Sequence, residues 1–190
     1  MKKILITLFI FLSVMPAFSK PGTIVTYTID PEKNAWEHNN KGVKYLEDEK
    51  CYYAAIQEFK IAISLNPKAQ STAIYMNNLG KVYLIIGYPD LALGCFEDAI
   101  KQYSLNFEFY KNLAECYQLL GKTQQKLAEY KKLQDENPIA GIMVGLLEEQ
   151  SGEKRKAITT LDNFAMSEPD LIITPAVQKH IKDLVKEVNN

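Results

Sequence analysis

The sequence has no excess of positive charge: 22 Lys and Arg stand against 23 Asp and Glu, a formal net charge of −1. Nucleic-acid binders depend on a strong basic field, so no nucleic-acid partner is expected. Histidine is scarce: His38 and His180 lie far apart, and no His/Cys/Asp cluster has metal-ligand spacing. A phosphate-cradling glycine loop and a nucleophile-elbow motif are both missing, so no catalytic residue, metal or cofactor is expected. His38 reads as a polar helix-surface residue, and paired acids such as Glu148-Glu149 as a solvated helical face.

Long hydrophobic runs are also missing, with one short exception. Lys2 and Lys3 precede a 12-residue apolar run, Ile4 to Met15, followed by Pro16-Ala17-Phe18-Ser19. A charged start, an apolar stretch and a small-x-small site read as a secretory signal peptide over 1–19, cut near Ser19. The run is shorter than the ~20 residues that span a bilayer. The expected product is therefore an exported protein of bacterial type, periplasmic or secreted, with no membrane span after cleavage. Cysteine is limited to Cys51, Cys95 and Cys116, an odd number for an oxidising compartment. Three free thiols and a Cys95–Cys116 disulfide both remain open.

What the chain does have is helical patterning. Residues 20–33 read as an extended arm, in which Val25, Tyr27 and Ile29 alternate with Thr26 and Thr28 like one short strand. Such an arm lies on the helices, stays partly disordered, or pairs with a partner's sheet edge. Asp30-Pro31-Glu32 then gives a helix-start signal. Further on, Leu79, Val82, Tyr83 and Ile86 form the apolar stripe of an amphipathic helix. Gly87-Tyr88-Pro89-Asp90 breaks it, and Ala92, Phe96, Ala99, Ile100 and Tyr103 make a second stripe. Two helices joined by so short a turn pack antiparallel, with Gly80, Ala92 and Ala99 allowing close approach.

Met76-x2-Leu79-Gly80-x2-Tyr83 followed by Ala92-x3-Phe96 resembles the tetratricopeptide repeat, with Met76 in place of Trp and Ser104 in place of Pro. The pattern recurs as Gly42-x2-Tyr45, Ala55-x3-Phe59 and Pro67. It returns as Tyr110-x2-Leu113-Ala114-x2-Tyr117, Lys126-x3-Tyr130 and Pro138, and more weakly as Val144-Gly145, Ala157-x3-Leu161 and Pro169. Phe59, Phe96, Tyr130 and Leu161 are 37, 34 and 31 residues apart. From the small residue of each first helix to the alanine-like position of the second is 13, 12, 12 and 12 residues.

The resemblance implies an all-α superhelical solenoid, right-handed, of about four hairpins over 34–170. Their bounds are about 34–67, 73–106, 107–138 and 139–169, the last with its first helix weakened by Gly141, Gly145 and Glu148. A helix over 171–190, started by Thr174-Pro175, places Val177, Ile181, Leu184 and Val188 on one side and caps the open end.

The family lines a concave groove with the first helix of each hairpin. Asn40, Asn78 and Asn112 stand two residues before Gly42, Gly80 and Ala114, preceded by Asn39, Asn77 and Lys111. An amide offers both a donor and an acceptor, which suits an extended peptide backbone. With Lys81, these seven residues are the expected peptide-binding set; the alternative is that the amides bond neighbouring helices or face water. Val43, Glu108 and Glu115 occupy places where a carboxylate clamp needs Asn or a cation, so a mixed groove with Trp36, Val43, Ile74 and Ile139 is expected instead. The function implied is a non-enzymatic module that binds a protein or peptide partner of unknown identity. The alternative is a structural scaffold subunit of an envelope or secretion complex.

Overall fold

The structure, a computed structural model, describes residues 30–189. The expected signal peptide and the Pro21–Ile29 strand lie outside the described residues. Within them the chain forms nine helices and no strand, an all-α helical repeat solenoid. The hairpins are α1 Pro31–Glu47 with α2 Tyr52–Leu65, and α3 Thr72–Ile85 with α4 Pro89–Gln102. They continue as α5 Phe107–Leu119 with α6 Thr123–Leu133, and α7 Ala140–Gln150 with α8 Lys154–Ser167, before the terminal α9 Thr174–Asn189.

Helix α1 starts at Pro31, where the Asp30-Pro31-Glu32 signal puts a helix start, and so inside the last residues of the stretch 20–33 read as an arm. The Asp30 carboxylate accepts from the backbone N–H of Glu32 and of Lys33, at 3.1 Å each, and Pro31 needs no N–H partner at the first helical position. The hairpin turns share one device. Gly87, Gly121 and Gly152 take positive φ of 84°, 66° and 81°, and the next residue donates back to Tyr83, Tyr117 and Glu148 respectively. This satisfies carbonyls that the helix ends leave open, and glycine adopts the conformation without steric cost. The first turn has one more residue: Cys51 donates to Tyr45 at 2.8 Å, and Lys50 takes the positive φ of 52°.

Three of the four hairpins close where a glycine of the first helix meets a large side chain of the second. A Cβ on Gly80 would lie 2.6 Å from Phe96 Cε1, and one on Gly42 2.6 Å from Phe59 Cε1. In the fourth unit a Cβ on Gly145 would lie 2.5 Å from Leu161 Cγ. Phe59, Phe96 and Leu161 are fully buried, as are Ala55, Ala92 and Ala157 one turn before them. The third hairpin departs from this. Lys126 stands at the alanine-like position, its ammonium 5.4 Å from the centre of the Tyr117 ring. A long side chain there holds α5 and α6 apart, and α6 packs mainly on α7.

Two readings of the fourth unit are corrected. Glu148 belongs to no solvated face: it is 1% exposed, accepts from Thr160 Oγ1 at 2.7 Å and pairs with Lys131 Nζ at 3.0 Å. A buried carboxylate needs such partners, and these tie α6, α7 and α8 together. Glu149, its neighbour, pairs with His180. Nor is α7 weak. Residues 140–148 are all buried between neighbouring helices, so packing overrides the low propensity of its glycines. Helix α9 covers the last hairpin with Val177 and Leu184 buried and Ile181 half-buried. Among the described residues no helix is long and apolar enough to cross a membrane.

Candidate functional site

The odd-numbered helices carry a chain of recesses that share lining residues. The first, of about 390 Å³, includes Asp30, Trp36, Ser71 and Tyr75. A second, of about 320 Å³, shares Glu32 and Ser71 with it and adds Gln70, Ile74, Tyr103 and Asn106. Asn106 also lines the third, of about 340 Å³, with Lys111, Lys179, His180 and Asp183. The fourth, of about 320 Å³, shares Glu108, Lys111 and His180 with the third and adds Asn112, Glu115, Gln118, Glu149 and Gln150. Together they form one furrow from the start of α1 across α3 and α5 to α7 and α9.

Local sequence sets the walls. Asn106 caps α5, its side chain accepting from Glu108 N at 3.0 Å. At the far end His180 Nε2 lies 2.7 Å from Glu149 Oε2, and its ring centre is 5.3 Å from that of Phe107. These contacts bring α9, a cap by expectation, into the furrow as another odd-numbered helix. Lys111 Nζ pairs with Glu108 at 3.4 Å, whereas Glu115 and Gln118 are exposed. The charge is mixed, and the polar groups suit hydrogen bonds to an extended backbone.

Of the seven expected residues, the structure brings Lys111 and Asn112 to these recesses. The asparagines mostly bond each other across the repeats. Asn112 Nδ2 donates to Asn77 Oδ1 at 2.8 Å, and Asn78 Nδ2 donates to Asn39 Oδ1 at 2.9 Å. Asn39, Asn77 and Asn112 are all buried. Their amides join α1 to α3 and α3 to α5, the alternative weighed for them above, with Asn112 also touching the furrow. Asn40 is exposed and Lys81 half-buried, and neither lines the four recesses. Among the apolar candidates Trp36 and Ile74 line the furrow, while Val43 and Ile139 pack on the core.

Sequence reasoning missed Gln118, Glu149, Gln150 and His180 as furrow residues. Three of them carried a signal. Gln118 and Glu149 both stand four residues after the small residue of their unit, Ala114 and Gly145, and Gln150 follows directly. His38, read as a surface residue, is half-buried and paired with Glu58 at 2.5 Å, so it helps to join α1 to α2.

All three cysteines are free. Burial pushes the Cys95 thiol up to about 11, with Asp98 adding to the effect. Burial likewise raises Cys116 to about 11, with Asp90 adding, and its Sγ donates to Pro89 O at 3.2 Å. Cys51 is exposed. Alkylation depends on accessible thiolate, so native protein at pH 7.5–8 is expected to take one label quickly, at Cys51. Cys95 and Cys116 react after unfolding. Mass spectrometry of timed iodoacetamide samples checks this, and early labelling of Cys116 contradicts the packing.

Residues 95–128 match the family model described as Tetratricopeptide repeat. The match runs from the middle of α4 through α5 into α6, so it straddles two hairpins. No curated protein matches the chain. Among solved structures it is similar to a tetratricopeptide repeat protein from Parabacteroides merdae, at 21% identity and a TM-score of 0.51, over 83% of this chain. The chain spans 62% of that protein's length. It is also similar to TTC0263, a thermophilic TPR protein of Thermus thermophilus, at 22% identity and a TM-score of 0.49, over 81% of this chain and 82% of that one. At such identities the likeness is one of fold. Residues 95–128 thus carry a tetratricopeptide repeat, and the array has the fold of a tetratricopeptide-repeat protein.

Proposed function

We propose that this tetratricopeptide-repeat protein is an exported, non-enzymatic interaction module that holds an extended segment of a partner protein in the furrow. The observation that carries the reading is the continuity of four recesses along α1, α3, α5, α7 and α9. The furrow is apolar at Trp36 and Ile74 and polar at Lys111, Glu115, Gln118 and Gln150. That sequence of surfaces fits a mixed peptide better than a terminal carboxylate. Export rests on the basic start, short apolar run and small-x-small site of residues 1–19.

The test places a photo-crosslinking residue at Glu115 or Gln118 in cells, with Gln57 of α2 as the control position. A defined partner segment is expected on the first two and not on the control. The triple variant K111A/E115A/Q118A changes only exposed or half-exposed side chains, so its stability stays within about 0.5 kcal/mol. Its affinity for the identified segment is expected to fall roughly tenfold, about 1.4 kcal/mol. Unchanged affinity removes the furrow as the binding surface. A stable large complex formed through Gln57 favours the scaffold alternative.

A further inference from the structure

On the reading of the furrow as a segment-binding surface, and resting on it, we propose that the partner segment is basic. It sets Lys or Arg side chains against the furrow's free carboxylates and an apolar or aromatic side chain over α1 and α3.

Charge is not spread evenly over the molecule. The chain has 22 Lys and Arg, of which Lys2, Lys3 and Lys20 precede the described residues, and 23 Asp and Glu, all within them. Six carboxylates line the four recesses: Asp30, Glu32, Glu108, Glu115, Glu149 and Asp183. Three lysines oppose them there, Lys33, Lys111 and Lys179. Most of the acidic excess of the described residues therefore lies in the furrow, and the remaining surface is close to balance. A cleft lined by one sign of charge focuses its field on what enters it.

Part of this charge is answered within the fold. Asp30 caps α1, Glu108 pairs with Lys111, Glu149 with His180 and Asp183 with Lys186. Glu32 and Glu115 are exposed and have no ion-pair partner among the described residues. Glu32 lines the first and second recesses and Glu115 the fourth, so each half of the furrow presents a free carboxylate. Lys33 and Lys179, also unpaired there, offset this field without cancelling it.

The two halves differ in their apolar surface. Trp36, 57% exposed, and Ile74, 45% exposed, floor the first two recesses. Phe107 and Leu146, the large apolar residues of the other two, are buried. Ser71 Oγ, where the first two recesses meet, has no hydrogen-bond partner among the described residues, and a segment's backbone offers one. Apolar contact thus supplies affinity at one end, while the carboxylates select the sign of the partner's charge.

The test pans a library of random peptides, displayed on phage, against the immobilised protein. Peptides held by the protein and not by E32K/E115K are expected to be enriched in Lys and Arg and to carry an aromatic or large aliphatic residue. Binding of a selected tryptophan-free peptide is then followed by the emission of Trp36, the chain's one tryptophan. Glu115→Lys is expected to weaken it about fivefold in 0.1 M NaCl, the scale of one exposed ion pair. The difference is expected to fade in 1 M NaCl, where the screening length drops to about 3 Å. Lys179→Gln, which removes an opposing cation, is expected to tighten binding. Asp98→Lys makes the same change of net charge on α4, outside the four recesses, and is expected to leave it unaltered. Circular dichroism checks that each variant keeps its helices. Selected peptides that are neutral or acidic, yet lose affinity in K111A/E115A/Q118A, overturn the basic partner and leave the furrow as a peptide site. An equal loss in Asp98→Lys and Glu115→Lys overturns it too. Peptides indifferent to every furrow variant remove the furrow reading itself, and the basic partner with it.

Discussion

Replacing Phe96 with alanine is expected to lower the free energy of unfolding by about 3–5 kcal/mol, the usual cost of deleting a fully buried aromatic side chain. Phe96 is 0% exposed, and its ring lies over Gly80 of the facing helix. Truncation leaves a cavity that the rigid hairpin cannot collapse, since Ala92 and Ala99 on the same helix are fully buried as well. Urea titration followed by helical circular dichroism measures the loss, and a change below about 1 kcal/mol contradicts the packing assigned to the ring. The companion substitution makes the test specific. In the parent protein Gly80→Ala drives a Cβ to 2.6 Å from Phe96 Cε1, so it is expected to destabilise by about 1–3 kcal/mol as overpacking. In the Phe96→Ala background that atom is gone. Gly80→Ala there is expected to be neutral or stabilising by up to ~1 kcal/mol, because alanine is the better helix former. A change of sign between backgrounds is what contact between the two residues requires.

That pairing was legible because it repeats. Gly42, Gly80 and Gly145 recur ahead of Phe59, Phe96 and Leu161, and one copy explains the others. Even the irregularity was visible: the first interval is 13 residues where the others are 12, and the first turn holds one extra residue at Lys50. The spread third hairpin was foreshadowed by Lys126 at the alanine-like position. Other features depend on which neighbour a helix acquires, and a periodic pattern does not carry that. Glu148 looked like half of a solvated acid pair because Lys131 and Thr160, its partners, come from the helices on either side of α7. His180 looked like part of a cap, and only the packing of α9 sets its ring beside Phe107 and Glu149.

The asparagines show why the site was harder to read than the fold. An amide that binds a peptide and one that binds the next helix have the same chemistry and the same spacing. The distinction is a rotation of about 100° per residue around the helix: Asn77 turns into the interface, and Asn78, the next residue, is half-buried. Nor do the pairs join equivalent positions. Asn112 bonds Asn77 and Asn78 bonds Asn39, so each contact links residues offset by one place in the repeat. A ladder drawn from equivalent positions pairs Asn112 with Asn78 and Asn78 with Asn40, and misses this.

The offset contact has a measurable consequence. Asn112→Ala removes the donor to Asn77 Oδ1 in a place where both residues are at least nine-tenths buried. The orphaned acceptor and the small void together are expected to cost about 1–3 kcal/mol. Asn77→Ala alone is expected to cost a similar amount, since it orphans the Asn112 amide. The double variant N77A/N112A leaves neither group unpaired, so it is expected to fall short of the sum of the singles by about 1 kcal/mol or more. Thermal unfolding of the four proteins closes the cycle. Strict additivity shows that the two amides do not act on each other. The same cycle also decides how binding data on these residues are read. A loss of partner capture in Asn112→Ala that tracks the loss of stability reflects a loosened α3–α5 junction. A loss that persists in N77A/N112A beyond its change in stability assigns Asn112 a direct contact with the partner segment through the recess it lines.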